Sequence, residues 1–484
     1  MPSGSAEART VRAFAMNPKL DLAWMESRDS YRAKMLTLAD QAAPNLRGPE
    51  DPARPVDTAR DLMAWPEDVG LFASLSGPRA APARSSGSLE GAILTLIGIY
   101  GPQNEYYAAK YPHVVERAPQ VRQLTLSLTD TFGRVVIETF SEIAARHRVW
   151  LEAGVNMAQE WQVVCADRDA FNSAVPPRLP GGQLCQEENP QKVQQLRDPF
   201  EPGRDYAYEA VTSKTSNMAL VFDPAGRVVS HQAKEYLTPT EMPGLLDLVP
   251  GEVTGGLGAV KTPVGTLGFV TSKDSWMPDV QAKLDQAHVD LLVQPEFFVG
   301  DLVARGTQWS PDTLLASGYS NVLRHPSFEA MALPELTGNI FNFSADAQTH
   351  FAVKPRTVGA AGGHLVGQPD SPGLVGVAPW VVPDPIRPGE PVRERRARLG
   401  AAGEALAPGS GVACEEPGKP APCENGHWEG VRWQDVEVDR RPKYRRYSGR
   451  LKPTRFSAAR PVAPSKNPQR NAAMAVQGPN ALLA

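Results

Sequence analysis

The segment GTLGFVTSKDSW (265–276) ends a short β-prone run, 267–271, in the polar residues Ser272, Lys273 and Asp274. A strand that stops at a turn fixes the backbone and presents the next side chain, and nucleophiles are often placed that way. Ser272 is therefore the first candidate for chemistry. Two further polar residues stand in similar places. Glu67 closes LMAWPEDVG, where 62–65 reads as a buried strand ended by Pro66. Lys234 follows NMALVFDPAGRVVSHQA, two β-prone runs joined by an Asp-Pro-Ala-Gly turn. Taken singly, each has an ordinary reading: Glu67 as a helix cap, Lys234 as a surface lysine, Ser272 as a turn residue or N-cap. A second Pro-Glu, Pro295-Glu296, follows VDLLVQ, so the dipeptide alone does not pick out a site. Asp274 reads as a cap, and Trp276, Phe297 and Phe298 either line a pocket or fill core.

The elements that must position these residues follow α/β grammar. In RVVIETFSEIAARHRVWLEAGVNM, Val136, Phe140, Ile143 and Ala144 share a helical face, and a strand over 149–155 follows. SYRAKMLTLADQAA carries Tyr31, Met35 and Leu38 at helical spacing. PDVQAKLDQA does the same with Val280, Leu284 and Ala287, ahead of the strand VDLLVQP. Three domain assignments follow: an α/β body over 10–354, a low-order linker over 355–430, and a basic C-terminal tail over 431–484. Within the body, 156–208 loses periodicity around PPRLPGG and DPFEPGRD and reads as an insertion loop of lid character. In the tail, WQDVEV (433–438) reads as one last strand. From Arg440 onward there are eleven basic residues and no acidic one, a composition open to nucleic-acid or membrane-surface binding but more often that of a solvated arm or a contact with a partner subunit.

Composition excludes several classes. Fifty basic against 54 acidic residues give a net charge of -4, so no nucleic-acid partner is expected. The run AILTLIGIY (92–100) is too short to span a bilayer, and the N-terminus has no signal-peptide pattern. A cytoplasmic location is the expectation, with export the alternative if the start is incomplete. None of Cys165, Cys185, Cys414 and Cys423 has CxxC spacing, and no metal or cofactor is implied. Cys414 and Cys423 bracket EEPGKPAP and read equally as a local disulfide or as two free thiols.

In their order and local frames, Glu67, Lys234 and Ser272 resemble the nitrilase, or carbon–nitrogen hydrolase, superfamily over roughly 11–354. That family places a Pro-Glu after its first long strand, matched by LMAWPEDVG. It places a Lys-x-x-Leu after a hairpin, matched by FDPAGRVVSHQAKEYLTP. Its nucleophile lies in TPxGxxGxxxCxDxxxPE, matched by TPVGTLGFVTSKDSWMPD. The resemblance implies a four-layer α-β-β-α sandwich, a homo-oligomer and a small-molecule amide, nitrile or acyl substrate. It gives Glu67 the role of base, Lys234 that of oxyanion partner, and Glu241 that of a second glutamate. Asn217 and Gly154 fit strand positions of the family. The phrase KEYLTPTE is also similar to the apolipoprotein N-acyltransferase branch, which is membrane-embedded.

One departure bears on activity: the family's cysteine falls on Ser272. A thiol with a pKa of about 8.5 yields its thiolate beside a carboxylate and an ammonium, whereas a hydroxyl is far less acidic. His231 and His288 are the histidines nearest in sequence. Three explanations stay open: a working serine using Lys234 as base, a pseudoenzyme that kept the fold, and an engineered change. The functional readings are correspondingly hydrolysis of a carbon–nitrogen bond, acyl transfer to an amine, and a catalytically inactive binding protein.

Overall fold

Alternate residues of the strand Arg9–Asn17 enter two different cores. Ala13 and Ala15 pack into one, and Phe14 and Met16 into the other. A strand buried on both faces needs apolar residues throughout, which is why AFAM and LMA show no polar alternation. In this computed structural model the described residues are 9–115, 120–243, 245–251, 258–301, 315–341, 343–346, 348–354, 373–378, 391, 393–394 and 427–438.

The first six-stranded sheet runs, in spatial order, Gly430–Val438, Arg9–Asn17, Asp61–Ala64, Trp150–Ala158, Thr215–Phe222 and Val228–Ala233. The second runs Gly373–Val375, His350–Val353, Ala330–Leu333, Leu291–Val293, Gly265–Phe269 and Val260–Thr262. Val11, Leu62 and Val221 of the first sheet share a core with Leu267, Leu291 and Phe351 of the second, so the sheets lie face to face. The outer face of the first sheet packs on helices Arg28–Ala42 and Glu138–His147 through Met35, Leu38, Phe140 and Ile143. Val270, Leu292 and Met331, on the outer side of the second sheet, pack with Val280 and Leu284 of helix Pro278–Gln286. The α-β-β-α layering expected from the resemblance is present.

Three strands in the middle of each sheet are parallel. Arg9–Asn17, Asp61–Ala64 and Trp150–Ala158 run together in the first, and Gly265–Phe269, Leu291–Val293 and Ala330–Leu333 in the second. Their carboxyl ends therefore open toward the same rims, where α/β proteins place ligands.

Two expectations need correction. The stretch 156–208 is folded, not a structureless loop. It completes the strand Trp150–Ala158 and adds Trp161–Cys165, Glu187–Glu188 and helices Arg168–Asn172 and Pro190–Leu196. With Tyr206–Ala210 it forms a separate three-stranded sheet, stapled by a disulfide between Cys165 and Cys185. The strand seen in WQDVEV is longer than expected: Gly430–Val438 pairs antiparallel with all of Arg9–Asn17, so the first sheet's edge lies in the segment assigned to the tail. Asp435 on that strand accepts from Arg12 (2.7 and 3.0 Å) and Arg47 (3.2 and 2.8 Å), two arginines more than 380 residues away. Most of the expected linker, Cys414, Cys423 and the tail beyond 438 lie outside the described residues. No helix among the described residues is long and apolar enough to cross a membrane.

The Asp435 contact generates a test. Asp435→Ala strips both guanidinium groups of their shared carboxylate, and we expect a loss of about 1–3 kcal/mol in urea unfolding. An unchanged midpoint would show that the strand holds its edge without the ion pairs.

Candidate active site

Glu67 lies three residues past the strand Asp61–Ala64. Its turn is pressed against the neighbouring strand, where Gly70 N–H donates to Gly154 C=O at 2.9 Å. A Cβ on Gly154 would lie 2.7 Å from Pro66 O and 2.8 Å from Glu67 Cα, so a glycine at 154 has a steric reason. Asp68 takes a left-handed conformation (φ 61°), unusual for a residue with a side chain.

Lys234 immediately follows the strand Val228–Ala233, with its N–H on Asn217 C=O (2.8 Å) and its C=O accepting from Gly251 (2.8 Å). The chain then turns because Asp274 accepts the backbone N–H groups of Glu235 and Tyr236, the latter at 2.8 Å. Asp274 thus caps a turn, one of the readings its sequence position allows. Glu241 is fixed by Thr238, whose backbone N–H and hydroxyl both donate to Oε2, at 2.7 and 2.8 Å.

These turns bring three charges together. Lys234 Nζ lies 2.8 Å from Glu67 Oε1 and 2.9 Å from Glu241 Oε2. Asn217 Nδ2 spans the two acids, donating to Glu67 Oε1 at 2.6 Å and Glu241 Oε1 at 2.8 Å. The second oxygen of Glu67 accepts from the N–H of Phe297 at 3.0 Å. Lys234, Glu67 and Glu241 are 2%, 3% and 5% exposed, so solvent screens little of their interaction.

Ser272 opens the 3-10 turn Ser272–Trp276 in a left-handed conformation (φ 47°) and is 8% exposed. Such strain in a residue with a side chain is characteristic of functional sites. Its N–H donates to Pro295 C=O at 3.1 Å, and its hydroxyl reaches the Glu296 carboxylate. Glu296 in turn interacts with Glu67 and Lys234. Glu67, Lys234, Glu241 and Ser272 therefore belong to one buried cluster. His231 packs on Trp161 at the surface, with ring centroids 6.0 Å apart.

The site holds four acids, Glu67, Asp68, Glu241 and Glu296, around the Lys234 ammonium. Burial works against that ammonium, but Glu67 and Glu241 outweigh it and raise its pKa. Burial also works against the Glu241 carboxylate, yet Lys234 and the Thr238 N–H hold its pKa below the ordinary value. Glu67 is raised, chiefly by burial, despite Lys234. Asp68 is raised well above its usual range by burial and then by Glu67. Burial, reinforced by Glu67, pushes Glu296 up to about 7. Glu296, raised to about 7, beside Glu241, which is lowered, makes a pair suited to general acid–base work.

Glu296, Asp68 and Asn217 are the site residues that sequence reasoning passed over. The signal for Glu296 was present as the second Pro-Glu, and both dipeptides enter the same cluster. Phe297 stands edge-on to Phe72 at 5.7 Å, whereas Trp276 lines a separate cavity of about 440 Å³ with Gln281 and His325. A larger cavity, about 640 Å³, is lined by sequence neighbours of the site, among them Glu235, Tyr236, Met242 and Lys273. No group of potential metal ligands occurs among the described residues.

No family model and no curated protein matches this chain. Several solved structures are similar to it. Nit3 of Saccharomyces cerevisiae, a member of branch 10 of the nitrilase superfamily, is 10% identical, with 89% of this chain and 90% of that one covered at a TM-score of 0.42. An amidase from Nesterenkonia sp. is 12% identical over 92% and 97%, at a TM-score of 0.39. A carbon–nitrogen hydrolase from Helicobacter pylori G27 is 11% identical over 71% and 82%, also at 0.39. All three scores lie below 0.5, so the chemistry of the site rests on its own geometry.

Removing the ammonium should expose the electrostatics directly. Lys234→Met leaves buried carboxylates uncompensated, and we expect it to cost about 3–5 kcal/mol at pH 8. Glu241 has a lowered pKa, so its share of the stability is present above its ordinary value and lost as pH falls. At pH 5 the stranded acids take up protons in the variant, and the cost should shrink. Urea unfolding at both pH values measures this; an equal cost would contradict it.

Proposed function

We propose that this chain acts on carbon–nitrogen bonds of a small amide, nitrile or related substrate through an acyl-enzyme on Ser272. The observation that supports it is the cluster itself: an ammonium clamped between two carboxylates, beside a strained serine at a strand tip. In this reading the Ser272 oxygen attacks the carbonyl, and Lys234 stabilises the oxyanion that develops. Glu241 and Asn217 hold the ammonium in place, and Glu67, with its raised pKa, exchanges protons with the leaving amine and the incoming water. An amine acceptor in place of water would turn the same intermediate into an acyl transfer.

A second reading has its own observation. Both oxygens of Glu67 are occupied by N–H donors, so the expected base has no lone pair committed to Ser272. A catalytically inactive binding protein of the same fold would look like this if nothing else activated the serine. The reading also includes a homo-oligomer, and the Cys165–Cys185 disulfide favours an exported location over a cytoplasmic one.

Incubation with a panel of amides and reactive esters, followed by intact mass measurement, separates these readings. We expect an acyl adduct on the wild type that Ser272→Ala abolishes and that Lys234→Met slows by about 10²–10³-fold. Turnover by Ser272→Cys alone would mark a competent pocket that lacks its nucleophile. No adduct on either protein would support the binding role.

A further inference from the structure

We infer that Glu296, not Glu67, is the catalytic base that takes the proton from Ser272. The inference rests on the acyl-enzyme reading above. Strands Gly265–Phe269 and Leu291–Val293 are parallel neighbours, with Phe269 opposite Val293. Each chain runs three residues beyond that pair, to Ser272 on one and Glu296 on the other. The backbone bond from Ser272 N–H to Pro295 C=O (3.1 Å) ties the two turns together one residue before Glu296. Ser272 takes a left-handed backbone conformation (φ 47°), and its side chain interacts with the Glu296 carboxylate.

Glu296 is itself held in place. Gln294 Nε2 donates to its Oε2 at 2.8 Å, and its N–H donates to Pro334 C=O at 3.1 Å. It is 3% exposed. Glu67, by contrast, takes three N–H donors: Lys234 Nζ, Asn217 Nδ2 and the Phe297 amide. Because Phe297 directly follows Glu296, that last bond also fixes the distance between the two acids. Among the described residues, Glu67 and Lys234 act on Glu296 electrostatically, and Glu335, itself a buried acid, pairs with it through the backbone of the neighbouring segment. With its pKa pushed up to about 7, Glu296 is a far stronger base than an ordinary glutamate and is still partly ionised at neutral pH.

The Ser272 O–H proton passes to the Glu296 carboxylate as the Oγ–C bond forms, and the carbonyl π electrons move onto oxygen facing Lys234. On collapse the C–N bond breaks and the amine leaves with a proton from a buried carboxyl. Water then repeats the sequence, and Ser272 recovers its proton.

The test uses the full chain and p-nitrophenyl acetate. Nitrophenolate release and the mass of the adduct are followed in the wild type, Glu296→Gln, Ser272→Cys and the double variant. Wild-type acylation should rise with pH through an inflection near 7 that Glu296→Gln removes. Glu296→Gln should slow acylation about 10²-fold or more in the serine protein. In the Ser272→Cys background its penalty should be at least about tenfold smaller, because a thiol ionises without a strong base. Equal penalties in the two backgrounds, or a wild-type profile without the inflection, would overturn the role of Glu296. Acylation of Ser272→Cys but not of the wild type would overturn it while sparing the site reading. No acylation of either would overturn both.

Discussion

The Lys234 ammonium is the interaction on which the rest depends. Its charge is buried, and an isolated charge there would cost many kcal/mol, so the fold must supply compensating partners. Glu67 and Glu241 provide the charge, and Asn217, Thr238 and the Phe297 amide occupy the carboxylate oxygens. Each partner comes from a different segment: the turn after Asp61–Ala64, the strand Thr215–Phe222, the 238–241 turn, and the segment after Leu291–Val293. A buried ion cluster of this kind contributes little net stability, because desolvation offsets most of the attraction. Its value is positional. Four chain segments are tied to a common point at the rim of both sheets.

The same electrostatics set Glu67 and Glu296 in different environments although both follow a proline at a strand tip. Glu67 faces the ammonium and is committed to it. Glu296 faces Ser272 and feels Glu67 as a neighbouring negative charge, so it holds its proton more tightly. A hydroxyl needs such a base more than a thiol does, which links the serine at this position to the extra acid beside it.

Much of this was legible in the sequence, for physical reasons. Strands buried on both faces leave unbroken apolar runs, and the polar residue just beyond each run marks where the chain emerges. Glu67, Lys234 and Ser272 were found that way, and Glu241 came through the resemblance. Glu296 carries the same mark but falls after the serine, out of the family's order of glutamate before lysine, and a linear sequence does not show that strands Gly265–Phe269 and Leu291–Val293 are neighbours. The fold of 156–208 was hidden because Trp161–Cys165 and Tyr206–Ala210 are short strands paired across about forty residues, with a disulfide in place of a large core. Strand Gly430–Val438 was read as a fragment because its partner lies at the opposite end of the chain. Local periodicity reports none of these long-range pairings.

The central claim concerns a charge, and a charge can be observed directly. In a protein labelled with ¹⁵N at lysine Nζ, the Lys234 resonance is assigned by its absence from Lys234→Met and followed as pH rises. We expect it to remain an ammonium signal beyond the ordinary lysine value of about 10.4, held by Glu67 and Glu241. A Lys234 that loses its proton below that value would show that burial outweighs the two carboxylates, and would contradict the cluster described above.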